Sequence, residues 1–108
     1  MSYKIELTDN FIREAKKLIK KYPSLRTEII ELGKKLSENP TTGTPLGNDV
    51  YKIRLAIASK NKGKSGGARI ISFVKIIDKT VFLLSIYNKG EKDSMSNKEI
   101  EELLKAYL

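Results

Sequence analysis

The basic residues of this chain are concentrated in one stretch. Between Val50 and Thr80 the sequence has eight lysines and arginines and a single acid, Asp78, which together account for +7 of the formal net charge of +8. The eight cations are Lys52, Arg54, Lys60, Lys62, Lys64, Arg69, Lys75 and Lys79. The same stretch reads as two strands around a Gly-rich loop, so we expect the charge to lie on a folded surface, where a dense positive field typically meets phosphate.

The residue types available for chemistry are limited, because the chain contains no His and no Cys. RNA can still be cleaved if one group takes the proton of the ribose 2′-hydroxyl, another stabilises the charged phosphorane and a third protonates the departing 5′-oxygen. A lysine among other cations has a lowered pKa and can act as a base, arginine grips phosphate oxygens in two places, and tyrosine stacks on a base or relays a proton. The candidates for catalysis are Arg54, Lys64, Arg69, Tyr87 and Lys89. The candidates for RNA binding are Lys52, Lys60, Lys62, Lys79 and Lys92.

Two other kinds of site are disfavoured by the sequence. The run Gly63–Ser65 matches the end of a phosphate-binding loop, but Ala58 stands where that motif needs glycine, and a strand rather than a helix follows. We expect no zinc site without His or Cys, and we interpret Glu91 and Asp93 as part of a solvated turn before the last helix rather than as metal ligands. We therefore expect neither a metal nor a small-molecule cofactor.

Hydrophobic periodicity predicts the elements that must position these groups. Thr8 can cap a first helix, Pro23 separates it from a second, and Ser96 with Glu99 forms a capping box at the start of a last helix. The predicted strands are Tyr3–Leu7, Val50–Ala58, Ala68–Ile77 and Thr80–Tyr87, and residues 41–49 (TTGTPLGND) are predicted to be a loop. The order β-α-α-β-β-β-α predicts an α+β domain in which a helical hairpin and the C-terminal helix pack on a small, curved, mainly antiparallel sheet.

Strand alternation divides the candidate residues between faces. Lys52 and Arg54 share one face of their strand, opposite to Tyr51 and Ile53. On the last strand the alternation puts Tyr87 on the same side as Val81, Leu83 and Ser85, together with Lys89 if the strand continues that far. Alternation alone does not bring Tyr87 and Arg54 together.

Length and composition fit one globular domain over residues 1–108. The chain has no apolar run of membrane-spanning length, and its first residues lack the pattern of a signal peptide. Together with the absence of Cys, this favours a cytoplasmic protein without a membrane partner.

The residues also resemble a known family. The strand V-Y-K-I-R, the loop G-K-S-G-G-A-R-I-I and the later run L-L-S-I-Y-N-K-G-E-K-D-S-M-S-N-K-E are similar to the RelE/HigB branch of the RelE/ParE toxin superfamily, over essentially the whole chain. The resemblance implies the toxin of a bacterial type II toxin–antitoxin pair, a ribosome-dependent endoribonuclease that cuts mRNA and is inhibited by a cognate antitoxin protein.

The resemblance also implies roles for individual residues. Arg54 and Arg69 match the family's cations for phosphate or the transition state, Lys64 matches its loop lysine, and Tyr87 and Lys89 match its groups for stacking and proton transfer. Several members of the family use His, which this chain lacks, so the general base stays open between Lys64 and Lys89. Two alternative functions also stay open: a ParE-type inhibitor of DNA gyrase that is not an enzyme, and a basic RNA-binding module without toxicity.

Overall fold

The structure, a computed structural model, describes residues 2–60 and 66–108, without the side chain of Lys60. Its strands are β1 (Lys4–Leu7), β2 (Thr44–Gly47), β3 (Val50–Leu55), β4 (Ala68–Lys75) and β5 (Thr80–Asn88). Its helices are α1 (Asp9–Lys21), α2 (Leu25–Glu38) and α3 (Asn97–Leu104), and short 3-10 turns lie at Ala58–Lys60, Ile76–Asp78 and Lys105–Tyr107.

The strands form one mixed sheet in the order β1-β5-β4-β3-β2. Strand β1 runs parallel to β5, and the other neighbours are antiparallel. The predicted α+β class, with a helical hairpin, a C-terminal helix and a mainly antiparallel sheet, is confirmed.

The prediction of a loop over residues 41–49 was wrong, because Thr44–Gly47 forms strand β2 on the outer edge of the sheet. A two-residue turn joins it to β3, with positive φ at Asn48 (54°) and Asp49 (64°), as a type I′ hairpin turn requires. All four residues of β2 are exposed, so the strand has no buried face to leave an alternating pattern in the sequence.

Helices α1 and α2 cover one face of the sheet, which we call the hairpin face. The Thr8 side chain caps α1 by accepting a hydrogen bond from the amide of Phe11, as predicted. Phe11 and Leu18 of α1 and Leu25 and Leu36 of α2 are buried in the cluster that these helices share with the sheet. The apolar stripes of α1 and α2 therefore form the larger part of the hydrophobic core. These two helices do not cover the opposite face of the sheet.

The opposite face, which we call the α3 face, is covered in part by the last helix. The capping box of Ser96 and Glu99 is present, with hydrogen bonds in both directions between side chain and backbone. Ile100 and Leu104 are buried against this face, and the ring of Tyr107 lies 4.8 Å from that of Phe82. The beginning of β4 and the end of β5 lie beside the N-terminal end of α3, where Lys92 reaches both Tyr87 and the capping box.

Strand β3 ends at Leu55 rather than at the predicted Ala58, because the following residues bond to α2. The amide of Ala58 donates to the Glu28 carboxylate at 2.7 Å, and the amide of Ser59 donates to the Ser24 hydroxyl at 2.9 Å. The pairing of β3 with β4 stops at Leu55, opposite Ala68.

The predicted alternation along the last strand was also wrong. Pairing between β4 and β5 shifts by one residue, because Ile71 pairs with Ser85 while Ser72 pairs with Leu83. Leu84 is the extra residue of this β-bulge, and a bulge reverses the alternation beyond it. Tyr87 consequently lies on the α3 face, whereas Leu83 lies on the hairpin face.

Candidate functional site

Three of the predicted catalytic residues form a row across neighbouring strands. Arg54 on β3 pairs with Arg69 on β4, and Arg69 pairs with Tyr87 on β5. Residues that pair directly have Cα atoms about 5 Å apart and side chains on the same face. The row is therefore roughly 10 Å wide, which is the scale of one nucleotide and its phosphates.

The row has a buried floor and an exposed rim. Arg69 and Tyr87 are 5% and 6% exposed, whereas Arg54 is exposed. The guanidinium of Arg69 donates to the carbonyl of Ala68 at 3.2 Å. Arg54 also borders a cleft of about 730 Å³ between α2 and the edge of β3, together with Lys52. Arg54 is therefore the member of the row that is most accessible from solvent.

A glycine allows the strands to close beside this row. A Cβ atom on Gly67 would lie 2.1 Å from the carbonyl oxygen of Leu55, a distance that side chains do not tolerate. The carbonyl of Gly67 accepts a hydrogen bond from the amide of Lys89 at 3.0 Å. Gly67 therefore fixes the spacing between the end of β3, the start of β4 and the segment after β5, next to Arg69.

Lys89 follows the end of β5 and lies at the rim. Its ammonium bonds to the Asp93 carboxylate and, at 3.2 Å, to the Asp93 carbonyl. The hydrogen bond and charge of Lys89, with a smaller effect from Lys52, lower the pKa of Asp93. Asp93 is therefore the counter-ion of Lys89, and because its side chain is 92% exposed it also fits the predicted solvated turn.

Lys92 and Glu99 join the site to the start of α3. The Lys92 ammonium lies 2.6 Å from the Glu99 carboxylate and 5.9 Å from the centroid of the Tyr87 ring, which is within cation–π range. The hydrogen bond from Lys92, followed by those from Ser96, lowers the pKa of Glu99 from 4.5 to about 2. Lys92 is thus a cation beside Tyr87, held by an acid of the capping box.

The Tyr87 side chain is in an unusual environment. Burial raises its pKa, and the nearby charges of Arg69, Lys89 and Lys92 oppose that increase without cancelling it. Its hydroxyl oxygen is buried and makes no hydrogen bond to any part of the chain that the structure describes. A phenol of this kind keeps its proton at neutral pH and has a hydrogen-bond donor that no group of the described residues uses.

The remaining predicted residues are not brought into this row. Lys79 lies in the turn between β4 and β5, at the opposite end of these strands from Arg69. Since β4 continues for six residues after Arg69, that turn is about 20 Å away. Lys62 and Lys64 lie outside the described residues, as does the side chain of Lys60.

Two partners of the site were missed by sequence reasoning. Asp93 and Glu99 are both acids in a segment of mixed charge, where nothing in the pattern marks them as the partners of Lys89 and Lys92. Their spacing from Lys89 (i, i+4) and Lys92 (i, i+7) is the only local signal. That spacing is informative only on a helix, and residues 89–93 are not helical.

The described residues offer neither a metal site nor a membrane-spanning helix. Residues 2–60 and 66–108 contain no group of three or more acidic side chains placed to hold a metal ion. None of the helices in these ranges has the length and apolar character required to cross a bilayer.

Fold and site together define a small α+β protein with cations and a buried tyrosine aligned on one sheet face. The family model described as the RelE toxin of the RelE/RelB toxin–antitoxin system matches residues 3–107. The chain therefore belongs to the RelE toxin family, as its sequence motifs predict.

Several solved structures have the same fold. A variant of the E. coli toxin RelE with two arginines replaced, in the free state, is similar over 100% of both chains, at 21% identity and a TM-score of 0.66. The RelBE2 toxin–antitoxin complex from Mycobacterium tuberculosis is similar over 82% of this chain and 99% of that one, at 20% identity and a TM-score of 0.63. The intact E. coli RelBE complex is similar over 81% and 96%, at 21% identity and a TM-score of 0.62.

Proposed function

We propose that this toxin is an endoribonuclease that cleaves mRNA without a metal ion, by attack of a ribose 2′-hydroxyl on the adjacent phosphorus. Arg54, Arg69 and Tyr87 lie in a row on one face, and the tyrosine hydroxyl has no hydrogen bond within the described residues, which supports this proposal. Membership of the RelE toxin family supports the same proposed function.

The row offers a distinct role to each of its members. Arg54, at the exposed rim, can grip two oxygens of the scissile phosphate, and Arg69 beneath it can stabilise the charge that builds up on the phosphorane. Tyr87 is suited to give a hydrogen bond or a proton rather than to take one, because its pKa is raised. We assign it to the departing 5′-oxygen.

The proposed cleavage requires one general base in addition to Arg54, Arg69 and Tyr87. The base removes the 2′-hydroxyl proton, the 2′-oxygen bonds to phosphorus, the bond from phosphorus to the 5′-oxygen breaks, and that oxygen receives a proton. The products are a 2′,3′-cyclic phosphate and a 5′-hydroxyl end. The base is Lys64 or Lys89; Lys64 lies outside the described residues, and Lys89 must leave Asp93 to serve.

The cations around the row fit a nucleic-acid backbone. Lys52 lies two residues from Arg54 on the same strand face, and Lys92 lies beside Tyr87. Lysines bind phosphates without reading the base sequence, and such contacts weaken steeply with salt. We propose that the natural substrate is mRNA on the ribosome, in the cytoplasm, where neighbouring ribosomal RNA adds further phosphates.

An in vitro comparison tests this proposal. Purified toxin is incubated with an mRNA, alone and on translating ribosomes, and compared with Arg54→Ala and with Lys34→Ala. Lys34 is a suitable control, since it is an exposed lysine of α2 that forms an ion pair with Glu31 on the same helix. We expect the wild type and Lys34→Ala to yield 5′-hydroxyl ends, and Arg54→Ala to lose about 100-fold or more in rate.

Several results would contradict the proposal. Equal rates for Arg54→Ala and the wild type would remove the row from catalysis. Intact mRNA together with trapped gyrase–DNA complexes would favour the ParE-type alternative. Intact mRNA with salt-sensitive RNA binding and no growth arrest would favour a simple RNA-binding module.

We further propose that a cognate antitoxin protein binds this chain, as RelB binds RelE in the complexes that share its fold. Between α1 and α2 lies an apolar groove of about 260 Å³ that includes the exposed side chains of Ile12 and Ile30. Lys16 and Arg26 also line it, so an amphipathic antitoxin segment with acidic flanks would complement it in shape and charge.

Co-purification tests the antitoxin proposal. The product of the neighbouring small open reading frame is expressed with the wild-type toxin, with Ile30→Glu and with Lys34→Ala as control. We expect the complex to be lost only with Ile30→Glu, since this substitution puts a charge into the groove. Retention of the complex by Ile30→Glu would place the contact elsewhere, such as over the basic site.

A further inference from the structure

The position of Tyr87 depends on one extra residue in strand β5. Leu84 and Ile86 are two residues apart, yet Leu84 packs on the α3 face and Ile86 on the hairpin face. In a regular strand such residues share a face. Without the bulge, Tyr87 would lie with Val81 and Leu83 on the hairpin face, away from Arg69.

Helix α1 supplies the hydrogen bonds that the bulge needs. The side-chain amide of Asn10 donates to the Leu84 carbonyl at 2.9 Å. The Glu14 carboxylate accepts from the Ser85 hydroxyl at 2.7 Å and from the Ile86 amide at 3.3 Å. The Asn10 amide also donates to Glu14 at 2.9 Å, so the two side chains form one network.

One end of the bulge is fixed in a second way. The hydroxyl of Thr8, the residue that caps α1, donates to the Leu83 carbonyl at 2.9 Å, and the Thr8 amide reaches the same carbonyl at 3.3 Å. The residues before the bulge are also paired with β1, up to Leu7 opposite Leu83. Residues 84–88 have no partner in β1, so on that side Glu14 and Asn10 replace a neighbouring strand.

From this network we infer that Glu14 is a positioning residue for the reaction: by binding Ser85 and Ile86 it holds the bulge at Leu84 and so keeps Tyr87 on the face of Arg69. The role of Tyr87 is part of the proposed function, and to that extent the inference rests on it. Glu14 itself lies on the opposite side of the sheet and acts only through β5.

The test compares Glu14→Ala, which removes the acceptor, with Glu14→Gln, which keeps an oxygen of the same reach. We expect Glu14→Ala to lower the cleavage rate at saturating RNA by about 100-fold, as small misplacements of reacting groups do. The RNA concentration for half-maximal rate should not change, because Arg54 and Lys52 stay in place. We expect Glu14→Gln to restore most of the rate.

A double variant separates positioning from general loss of structure. In a Tyr87→Phe background, Glu14→Ala should cause little further loss, because both changes remove the same contribution. Independent, additive losses, or a wild-type rate for Glu14→Ala, would overturn the inference. Should Glu14→Ala not fold, Ser85→Ala can take its place, because it removes one of the two hydrogen bonds from β5 to Glu14. The same cleavage and double-variant measurements then apply to Ser85→Ala.

A measurement without RNA keeps this inference distinct from the proposed function. In NMR spectra of the free protein, the Tyr87 ring should show NOEs to the side chain of Ile100 or Leu104, which belong to the same buried cluster. We expect Glu14→Ala to weaken these NOEs and Glu14→Gln to keep them. Unchanged NOEs in a folded Glu14→Ala would refute the role of Glu14, even if the protein proved not to cleave RNA.

Discussion

Replacing Tyr87 by phenylalanine should change stability and activity in opposite directions. The substitution removes only the hydroxyl group, which is buried and makes no hydrogen bond within the described residues. A buried polar group without a partner costs about 1–3 kcal/mol, so its removal should raise the free energy of unfolding by about 1 kcal/mol. For a chain of this length, that corresponds to about 4–8 °C in melting temperature.

The same variant should cleave RNA slowly. If the hydroxyl donates to the departing oxygen, its loss removes general-acid assistance, which is worth about 100-fold or more in rate. Binding of RNA should be almost unchanged, because Arg54 and the lysines remain. The assays are urea denaturation followed by circular dichroism, and single-turnover cleavage of an mRNA on ribosomes.

Tyr22→Phe is the matched control for this prediction. The Tyr22 hydroxyl accepts a hydrogen bond from Asn88 at 3.3 Å, and the residue lies at the end of α1 on the hairpin face. We expect this variant to lose about 0.5–1.5 kcal/mol and to keep its rate. A Tyr87→Phe variant that is less stable than the wild type would mean that the hydroxyl is bonded in the fold and would contradict the prediction. Cleavage by this variant at the wild-type rate would contradict it as well.

Two further predictions concern the frame of the site. Gly67→Ala should destabilise the protein by about 1–3 kcal/mol in urea denaturation, because the new Cβ meets the backbone of β3. Gly33→Ala in α2 is the control and should stabilise the protein by about 0.5–1 kcal/mol, because a Cβ there meets nothing within 4 Å among the described residues. Equal changes in the free energy of unfolding for the two variants would contradict this prediction. The lowered pKa of Glu99 means that its carboxylate stabilises the fold above pH 4.5, and that this contribution is lost as the pH falls toward 2. Between pH 5 and pH 2, the free energy of unfolding should therefore fall less for Glu99→Gln than for the wild type. The same dependence of this free energy on pH in both proteins would contradict the pairing with Lys92.

Local sequence signals predicted the helices and their caps correctly. The first helix begins after Thr8, and the capping box of Ser96 and Glu99 lies where the S-x-x-E pattern placed it. Such signals act within one turn of helix, so the sequence alone contains them. The family motifs likewise identified the RelE family, which the family model confirms.

The features that escaped prediction depend on contacts between distant segments. Strand β2 is exposed and is defined by its pairing with β3, and the bulge at Leu84 is defined by pairing with β4 and by bonds from α1. The alternation of apolar residues continues through the bulge, so the sequence pattern put Tyr87 on the wrong face. The sequence could therefore name Arg54, Arg69 and Tyr87 as candidates by residue type, whereas it could not predict that they lie side by side on one face of the sheet.

In the proposed function, the row of Arg54, Arg69 and Tyr87 cuts mRNA. The most direct measurement is to induce the toxin in cells and map the new 5′ ends of the mRNA, for the wild type, Arg69→Ala and the control Lys34→Ala, with circular dichroism to show that each is folded. We predict new ends within reading frames for the wild type and Lys34→Ala, and none for Arg69→Ala. The same ends with a folded Arg69→Ala, or no ends with the wild type, would contradict the claim.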